Sequence, residues 1–314
     1  MARIGLVHPD SGGVSGNRVT ALRWEGILRE LGHECLRTEE WDGADVALLV
    51  ALHARKSHAS IVRFHEAYPE RPLVVAAAGT ELYGGDRGAP ETLASFRAAK
   101  RIVLLQSLAA EELEPELRQR AVVIYQSMPL RERGEPDREH FDVCVLANVR
   151  PIKDALRAAQ AARRLPENSC MRVLHLGQVL DENARSEVER ERTENPRYVW
   201  LGERAHDEAL DVLAKSWLLV SSSLGEGGAN AVTEAIACGT PVLASDIPGA
   251  RGILGDSYPG FFPVGDTGAL TALLRRAEEE PAFHTELARA VLELRPLVDP
   301  AREREAWRTL LAEL

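Results

Sequence analysis

The sequence predicts an α/β protein with two doubly wound parallel sheets, one in each half of the chain. Short aliphatic segments alternate with longer amphipathic segments through both halves, a pattern typical of strands joined by helical crossovers. The strand segments are apolar on both faces, as expected for parallel sheets that helices cover on each side. A polar segment with two prolines and a glycine, residues 128–140, interrupts the alternation, and we interpret it as a linker.

The N-terminal half, residues 1–127, is predicted to form the first doubly wound domain. Its strand segments are rich in Val, Ile, Leu and Ala and lie at residues 3–8, 45–51, 72–78, 101–105 and 121–126. The amphipathic segments between them predict helices at residues 18–31, 57–68, 90–99 and 108–118.

The C-terminal half restarts the same alternation and predicts a second domain over residues 141–295. Its strand segments lie at residues 141–147, 171–177, 198–202, 217–222 and 241–245. Its predicted helices lie at residues 152–164, 182–194, 207–215 and 229–238. Pro296 and Pro300 then interrupt the helical pattern before a terminal helix at residues 302–314.

Composition excludes several classes of protein. The formal net charge of -10 argues against nucleic acid as a partner, because phosphate contacts require clustered Lys and Arg. No apolar segment approaches the roughly 20 residues that span a bilayer, so we expect a soluble, cytoplasmic protein without a membrane partner. The four cysteines form no Cys-x-x-Cys, so neither a zinc site nor a disulfide framework is indicated.

Residues 221–246, SSSLGEGGANAVTEAIACGTPVLASD, carry the clearest functional pattern. Glu226 and Glu234 stand eight residues apart where a predicted strand turns into a helix, and glycines flank Glu226. At such a turn the backbone can approach a phosphate closely, and the helix N-terminus offers free N–H groups. Two other pairs share the spacing on predicted surface helices that lack the turn: Glu278 with Glu286 and Glu305 with Glu313.

This segment resembles the Glu-x7-Glu signature of the glycosyltransferases of the family-4 type. The resemblance implies the GT-B fold, in which two Rossmann-like domains face each other across a cleft and the terminal segment, here residues 296–314, returns to the N-terminal domain. It also implies that Glu226 lies beside the donor sugar and that Glu234 holds the ribose hydroxyls of a UDP-sugar. The other expected donor contacts are Leu201 and Gly202 near uracil, and Gly227, Gly228, Ala229 and Asn230.

Arg150 and Lys153 follow the first predicted strand of the second domain. An arginine fork and a lysine point charge at a strand end can neutralise the charge on a departing diphosphate. Similar enzymes carry an Arg and a Lys after this strand at slightly wider spacing; the alternative is two solvated cations at a helix start. The chain has no Asp-x-Asp, the carboxylate pair that holds a metal in the other major glycosyltransferase fold. We therefore expect no metal and no other cofactor.

A glycine-rich turn follows the first predicted strand, at residues 8–24. Its glycines do not form the Gly-x-Gly-x-x-Gly of dinucleotide-binding domains, so a dehydrogenase is not favoured. In GT-B enzymes this loop shapes the acceptor pocket. The resemblance thus implies acceptor contacts from five residues: Gly12, Gly13, Gly16, Asn17 and Arg18.

Six motifs narrow the resemblance further and span nearly the whole chain. They are Gly-Asn-x-x-Thr-Ala-x-Arg-Trp at 16–24, Ala-Leu-His-Ala-Arg at 51–55, Gly-Thr-Glu-Leu-Tyr at 79–83, Tyr-Gln-Ser at 125–127, GTPVLAS at 239–245 and SYPGFFPVGD at 257–266. Together they resemble the selenosugar synthases of selenoneine biosynthesis. Such enzymes join selenophosphate to the anomeric carbon of UDP-GlcNAc or UDP-glucose and release UDP. Glu81 and the pair Ala250-Arg251 depart from the pattern.

A selenophosphate acceptor requires positive charge and hydrogen-bond donors. The candidates are His53, Arg55, Lys56, Thr80 and the loop residue Arg18. The alternatives are a hydrogen-bonded loop histidine, solvated cations and a helix N-cap at Thr80. An ionised selenium nucleophile needs little proton abstraction, whereas a sugar hydroxyl needs a general base, and no N-terminal carboxylate stands out as one. The predicted catalytic set is Glu226, Arg150, Lys153 and His53.

Three other functions remain open at this point. The first is an ordinary hexosyltransferase that uses a hydroxyl acceptor. The second is a UDP-sugar epimerase, which needs acid and base groups on both faces of the sugar, and the sequence offers no clear pair. The third is a sensor that binds a nucleotide sugar without turning it over.

Overall fold

The structure, a computed structural model, describes residues 1–9 and 16–314, which fall into two units. The first unit contains Met1–Ser127, Glu226–Gly228 and Pro300–Leu314, and the second contains Met128–Gly225 and Ala229–Asp299. Each unit has one six-stranded parallel sheet with helices, so the predicted α/β class with two parallel sheets is confirmed.

The sheet of the first unit has the strand order β2-β1-β3-β4-β5-β6. Its strands are β1 (Arg3–Val7), β2 (Glu34–Thr38), β3 (Leu48–Leu52), β4 (Leu73–Ala76), β5 (Arg101–Leu104) and β6 (Ala121–Val123). Its helices are α1 (Gly16–Glu30), α2 (His58–Ala67), α3 (Thr80–Tyr83), α4 (Pro90–Ala98), α5 (Pro115–Arg118) and the terminal α13 (Pro300–Ala312). The strands β3 and β4 are fully buried, as their continuous aliphatic sequences predict.

In this unit the sequence pattern misses one strand, and one predicted helix is wrong. Strand β2 was not predicted, because it lies at the sheet edge with mostly half-exposed side chains and so has no continuous apolar pattern. The predicted helix at residues 108–118 is a 3-10 helix at Ser107–Glu112 followed by the short α5. Pro115, which lacks an N–H, begins α5 and separates the two.

A buried carboxylate, Glu303 of α13, holds the terminal helix within the first unit. It accepts hydrogen bonds from Trp24 Nε1 at 2.7 Å, Arg23 Nε at 2.9 Å and the backbone N–H of Ser127 at 2.8 Å. The indole rings of Trp24 and Trp307 pack edge to face with their centroids 4.8 Å apart. The carboxylate of Glu303 therefore joins the terminal helix to α1 and to Ser127.

Replacing Glu303 with Ala is expected to lower the free energy of unfolding of the first unit by about 3 to 5 kcal/mol, because an arginine and several buried donors lose their partner. Glu305, exposed on the same helix and paired with Arg308, is the matched control, and its Ala variant should stay within about 0.5 kcal/mol of wild type. Urea unfolding followed by tryptophan fluorescence measures both. Equal midpoints for the two variants would contradict the role given to Glu303.

The sheet of the second unit has the strand order β12-β11-β10-β7-β8-β9. Its strands are β7 (Phe141–Leu146), β8 (Met171–Leu176), β9 (Tyr198–Gly202), β10 (Leu218–Ser221), β11 (Val242–Ser245) and β12 (Phe261–Phe262). Its helices are α6 (Arg157–Ala162), α7 (Glu182–Glu194), α8 (His206–Lys215), α9 (Asn230–Cys238), α10 (Pro248–Leu254), α11 (Thr267–Glu279) and α12 (Pro281–Glu293). Residues 128–140, interpreted above as a linker, belong to this unit, where Arg133 donates to Ala214 O at 2.7 Å.

The predicted helix at residues 152–164 is wrong at its start. The chain forms a 3-10 helix at Pro151–Lys153, and Asp154 then takes a left-handed conformation with φ of 45° before α6 begins at Arg157. The short elements α10 and β12 were also not predicted. Within residues 1–9 and 16–314, no helix is both long enough and apolar enough to cross a membrane.

Candidate active site

The carboxyl ends of three strands in the second unit form a rim that backbone and side-chain hydrogen bonds hold together. Leu224 N, after β10, donates to Ile152 O at 2.8 Å, and Ser222 Oγ donates to Asp154 O at 2.8 Å. Val149 N donates to Gln178 O, after β8, at 2.8 Å. The loop after β7 is therefore fixed to both of its neighbours, at the edge of a parallel sheet where ligands commonly bind.

Arg150 and Lys153 lie in this fixed loop, and both side chains are half-buried. The guanidinium of Arg150 makes no hydrogen bond or ion pair with any residue in the described part of the chain. Most arginines of this protein pair with a carboxylate, so an unpaired, half-buried guanidinium on a rigid loop is unusual here. A half-buried cation of this kind can bind an anionic group with little rearrangement.

Glu234, in the second turn of α9, is the predicted ribose ligand, and its side chain is 15% exposed. His206 Nε2 lies 3.0 Å from Glu234 Oε1. The pKa of His206 is raised, chiefly by its hydrogen bond to Glu234 and against the effect of burial. Leu201 and Gly202, expected near uracil, form the end of β9, four residues before His206.

The loop Glu226–Gly228 belongs to the first unit, where it packs against the backbone that precedes α3. A Cβ at Gly227 would stand 2.5 Å from Ala78 O, and one at Gly79 would stand 2.7 Å from Gly227 N. A Cβ at Gly228 would stand 2.7 Å from Leu105 Cβ. The sequence interpretation gave Gly227 and Gly228 to the approach of a phosphate, and in the structure close packing also requires a glycine at both positions. Ala229 and Asn230 lie in the second unit at the start of α9.

His53, between β3 and α2, is the centre of a hydrogen-bonded cluster in the first unit. Its side chain is buried and its backbone is left-handed, with φ of 70°, a conformation that costs energy for a non-glycine residue. Its Nε2 lies 3.0 Å from Thr80 Oγ1, and its Nδ1 lies 3.3 Å from Glu81 Oε1. Thr80 Oγ1 donates to Asp86 Oδ2 at 2.8 Å. We call His53, Arg55, Thr80, Glu81 and Asp86 the His53 cluster.

Glu81 connects the His53 cluster to the backbone of two loops. Its buried carboxylate accepts backbone hydrogen bonds from Ala54 N at 3.0 Å, Ala78 N at 3.1 Å and Gly79 N at 2.9 Å. The longer side chain of Glu, where the family resemblance favours Asp, thus joins the loop after β3 to the loop after β4. Backbone N–H groups therefore satisfy the carboxylate of Glu81 at the position where the resemblance favours Asp.

The electrostatics of the cluster differ from the expected anion site. Burial lowers the pKa of His53, so its ring is neutral at neutral pH. Arg55 donates to Asp86, and although burial alone would raise the pKa of Asp86, hydrogen bonds from Arg55 and Thr80 lower it. A carboxylate therefore already pairs with Arg55, one of the cations predicted for the acceptor site. Lys56 is exposed.

Of the other predicted acceptor residues, three lie in the described part of the chain and two lie outside it. Gly16, Asn17 and Arg18 begin α1, whereas Gly12 and Gly13 lie outside the described residues. Later residues of the same motif have structural partners: Thr20 Oγ1 accepts from Gln126 Nε2 at 2.6 Å, and Trp24 binds Glu303.

Sequence reasoning missed two residues of these clusters, Asp86 and His206. Asp86 follows a Gly-Gly pair beyond α3, and His206 begins α8, so neither directly follows a strand. Their only sequence signal is position: each lies four to seven residues beyond a residue already singled out. Among residues 1–9 and 16–314, no three His, Cys, Asp or Glu side chains lie together in a way that would hold a metal ion.

Many solved structures, including the following three, are similar to this chain. Anabaena Alr3699/HepE, in complex with UDP and glucose, is 15% identical, with both chains fully covered and a TM-score of 0.77. Sucrose-phosphate synthase from Thermosynechococcus elongatus is 15% identical, with both chains fully covered and a TM-score of 0.78. The pneumococcal O-GlcNAc transferase GtfA, in complex with UDP and GlcNAc, is 14% identical over 96% of this chain and 61% of its own, with a TM-score of 0.68. No curated protein sequence matches this chain significantly.

These likenesses confirm the predicted GT-B fold. Residues 129–292 match the family described as Glycosyl transferases group 1. The match covers more than half of the chain and includes Arg150, Lys153, Glu226 and Glu234. The chain belongs to the group 1 family of glycosyl transferases.

Proposed function

We propose that this glycosyltransferase uses a UDP-sugar, UDP-GlcNAc or UDP-glucose, as donor and selenophosphate as acceptor, and that its product is a 1-selenosugar. The observation that carries the proposal is the His53 cluster. His53 and Thr80 come from two of the motifs that resemble selenosugar synthases, and they meet in one hydrogen-bonded group beside the loop of Glu226. The partners of this reaction are small molecules alone.

The donor is assigned to residues of the rim and α9. Arg150 and Lys153 would stabilise the charge on the departing diphosphate, and Glu234 would accept hydrogen bonds from the ribose hydroxyls. Uracil would lie near Leu201 and Gly202. Similar structures contain UDP or UDP-glucose, which supports this choice of donor. We infer that the two cations take the part that a metal plays in other glycosyltransferases.

The proposed reaction has two bond exchanges. A selenium lone pair forms a bond to the anomeric carbon while the bond from that carbon to the UDP oxygen breaks, and UDP leaves with the electron pair. Water then forms a bond to phosphorus while the phosphorus–selenium bond breaks. Selenium keeps the electron pair and takes up the proton that water loses, so the products are phosphate and the selenosugar. Neither step requires a strong base on the protein, and the lowered pKa values of His53 and Asp86 make both of them weak bases.

A hydroxyl acceptor is the second candidate function, and Asp86 is the observation that favours it. Because the Thr80 hydroxyl donates to Asp86, it can accept from His53 Nε2, which aligns two side chains toward one carboxylate. A carboxylate held in this way can act as a general base for a hydroxyl. Its lowered pKa makes Asp86 a weak base, so this candidate stands second.

Replacing Asp86 with Asn separates the two acceptors. With selenophosphate we expect kcat to change little and KM to fall about 2- to 5-fold, because one negative charge is removed and Arg55 loses its exposed ion-pair partner. A hydroxyl acceptor that needs Asp86 as base would instead lose about 100- to 10,000-fold in kcat.

Steady-state kinetics of UDP release measure both quantities. Glu112, which pairs with Arg87 at 2.8 Å in the same unit, supplies the control variant Glu112→Gln, for which neither quantity should change. Loss of kcat with selenophosphate in Asp86→Asn would show that the selenium reaction depends on this carboxylate, contrary to the proposal.

A further inference from the structure

His206 has no role in the reaction described so far, yet it contacts the residue assigned to the ribose. We infer that His206 belongs to the nucleotide site and exchanges with the ribose hydroxyls for the carboxylate of Glu234. This inference rests on the proposed use of a UDP-sugar. Under this inference, donor binding is coupled to the loss of a proton from His206.

The geometry of His206 and Glu234 favours replacement of the imidazole by ribose hydroxyls over a purely structural role for His206. His206 Nε2 lies 3.0 Å from Glu234 Oε1, within the range of a direct charge-assisted hydrogen bond. The Glu234 side chain is 15% exposed, whereas that of His206 is 50% exposed. His206 is therefore the more exposed of the two side chains, and its imidazole occupies the carboxylate oxygen Oε1 that a ribose hydroxyl would need.

The charged groups around His206 come from three parts of the second unit. Glu234 is on α9, Asp207 follows His206 on α8, and Arg131 lies in the segment that precedes β7. Glu234 and Asp207 favour the protonated ring, and Arg131 opposes it. Arg131 is itself paired with Asp207 at 3.5 Å and with Asp211 at 2.7 Å, which reduces its effect on the ring.

The direction of the pKa shift of His206 determines how donor binding depends on pH. In the nucleotide-free protein the pKa of His206 is raised above its ordinary value, so protonation strengthens its hold on Glu234. When ribose takes the carboxylate, His206 loses that partner, its pKa falls, and a proton is released. Donor binding should therefore weaken as the pH falls through the raised pKa of His206.

The experiment is calorimetric titration of UDP into wild type and His206→Ala at about pH 5.5 and about pH 8, around the ordinary histidine pKa. The terminal phosphate of UDP itself titrates in this range, so the variants are compared at equal pH. At the lower pH we expect His206→Ala to bind UDP about 3- to 5-fold more tightly than wild type, the gain from removing a partly exposed ion pair. At the higher pH the two affinities should agree.

His140, which lies 3.1 Å from Asp137 in the same unit, supplies the control, and His140→Ala should follow wild type at both pH values. Proton release on binding, measured in buffers of different ionisation enthalpy, should be smaller in His206→Ala than in wild type. Equal or weaker UDP binding by His206→Ala at the lower pH would overturn the exchange. Absence of UDP binding by wild type at either pH would instead overturn the proposed donor.

Discussion

Replacing Arg150 with Ala is expected to lower kcat/KM for the UDP-sugar about 10- to 1000-fold, the loss that follows from deleting a charge-assisted contact in a partly dry site. The reason is the position of Arg150: it is half-buried on the loop that Val149 and Ile152 fix to neighbouring strand ends. Its guanidinium has no competing partner among the described residues, so it is free to bind a diphosphate. Lys153→Ala should produce a loss in the same range.

Arg164→Ala is the matched control for charge. Arg164 is an exposed arginine that follows α6, so it lies toward the opposite end of that helix from Arg150. Its replacement should leave kcat/KM within about 2-fold of wild type, as expected for a solvated surface cation. If Arg150→Ala and Lys153→Ala both behave like this control while remaining folded, the two residues are solvated cations.

Replacing Glu234 with Ala is expected to weaken UDP binding about 10- to 100-fold, because hydrogen bonds to a carboxylate are about twice as strong as neutral ones. The variant also removes the partner of His206, so the pH dependence attributed to that pair should disappear with it. Calorimetric titration with UDP measures both effects.

Glu286, the second member of the pair Glu278 and Glu286, is the internal control. It has the same spacing from its partner but is exposed on α12, without a glycine turn or a neighbouring rim. Glu286→Ala should bind UDP as wild type does. Equal affinities in the Glu234 and Glu286 variants would remove the ribose assignment.

Much of the fold follows from simple patterning, and the exceptions have local causes. Long aliphatic segments such as Leu48–Leu52 are buried on both faces, so their apolar runs are a strong signal. The edge strand Glu34–Thr38 has mostly half-exposed side chains and no such run. The helix expected at residues 152–164 fails at Asp154, whose left-handed backbone no periodicity encodes.

The sequence singles out candidate residues that come soon after a strand, and it does not indicate partners that come from elsewhere in the chain. Arg150 and His53 follow strand ends, which in parallel sheets are the common place for ligands. Asp86 and His206 are recognised only through the contacts they make with Thr80 and Glu234. Such pairings depend on how distant loops pack, which composition and spacing do not specify.

Two residues of one motif have structural partners. Thr20 and Trp24 belong to the pattern at residues 16–24 that resembles selenosugar synthases. In the structure Thr20 binds Gln126, and Trp24 binds Glu303 of the terminal helix. This part of the motif therefore stabilises the first unit, and the acceptor proposal depends on the His53 cluster.

The most direct test of the central claim is mass spectrometry of the products formed by the purified protein from UDP-GlcNAc or UDP-glucose, with and without selenophosphate. The account predicts UDP together with a hexose derivative that carries selenium at the anomeric carbon, formed only when selenophosphate is present. The account would be contradicted if the protein released UDP with a hydroxyl acceptor but formed no selenium-containing sugar from either donor.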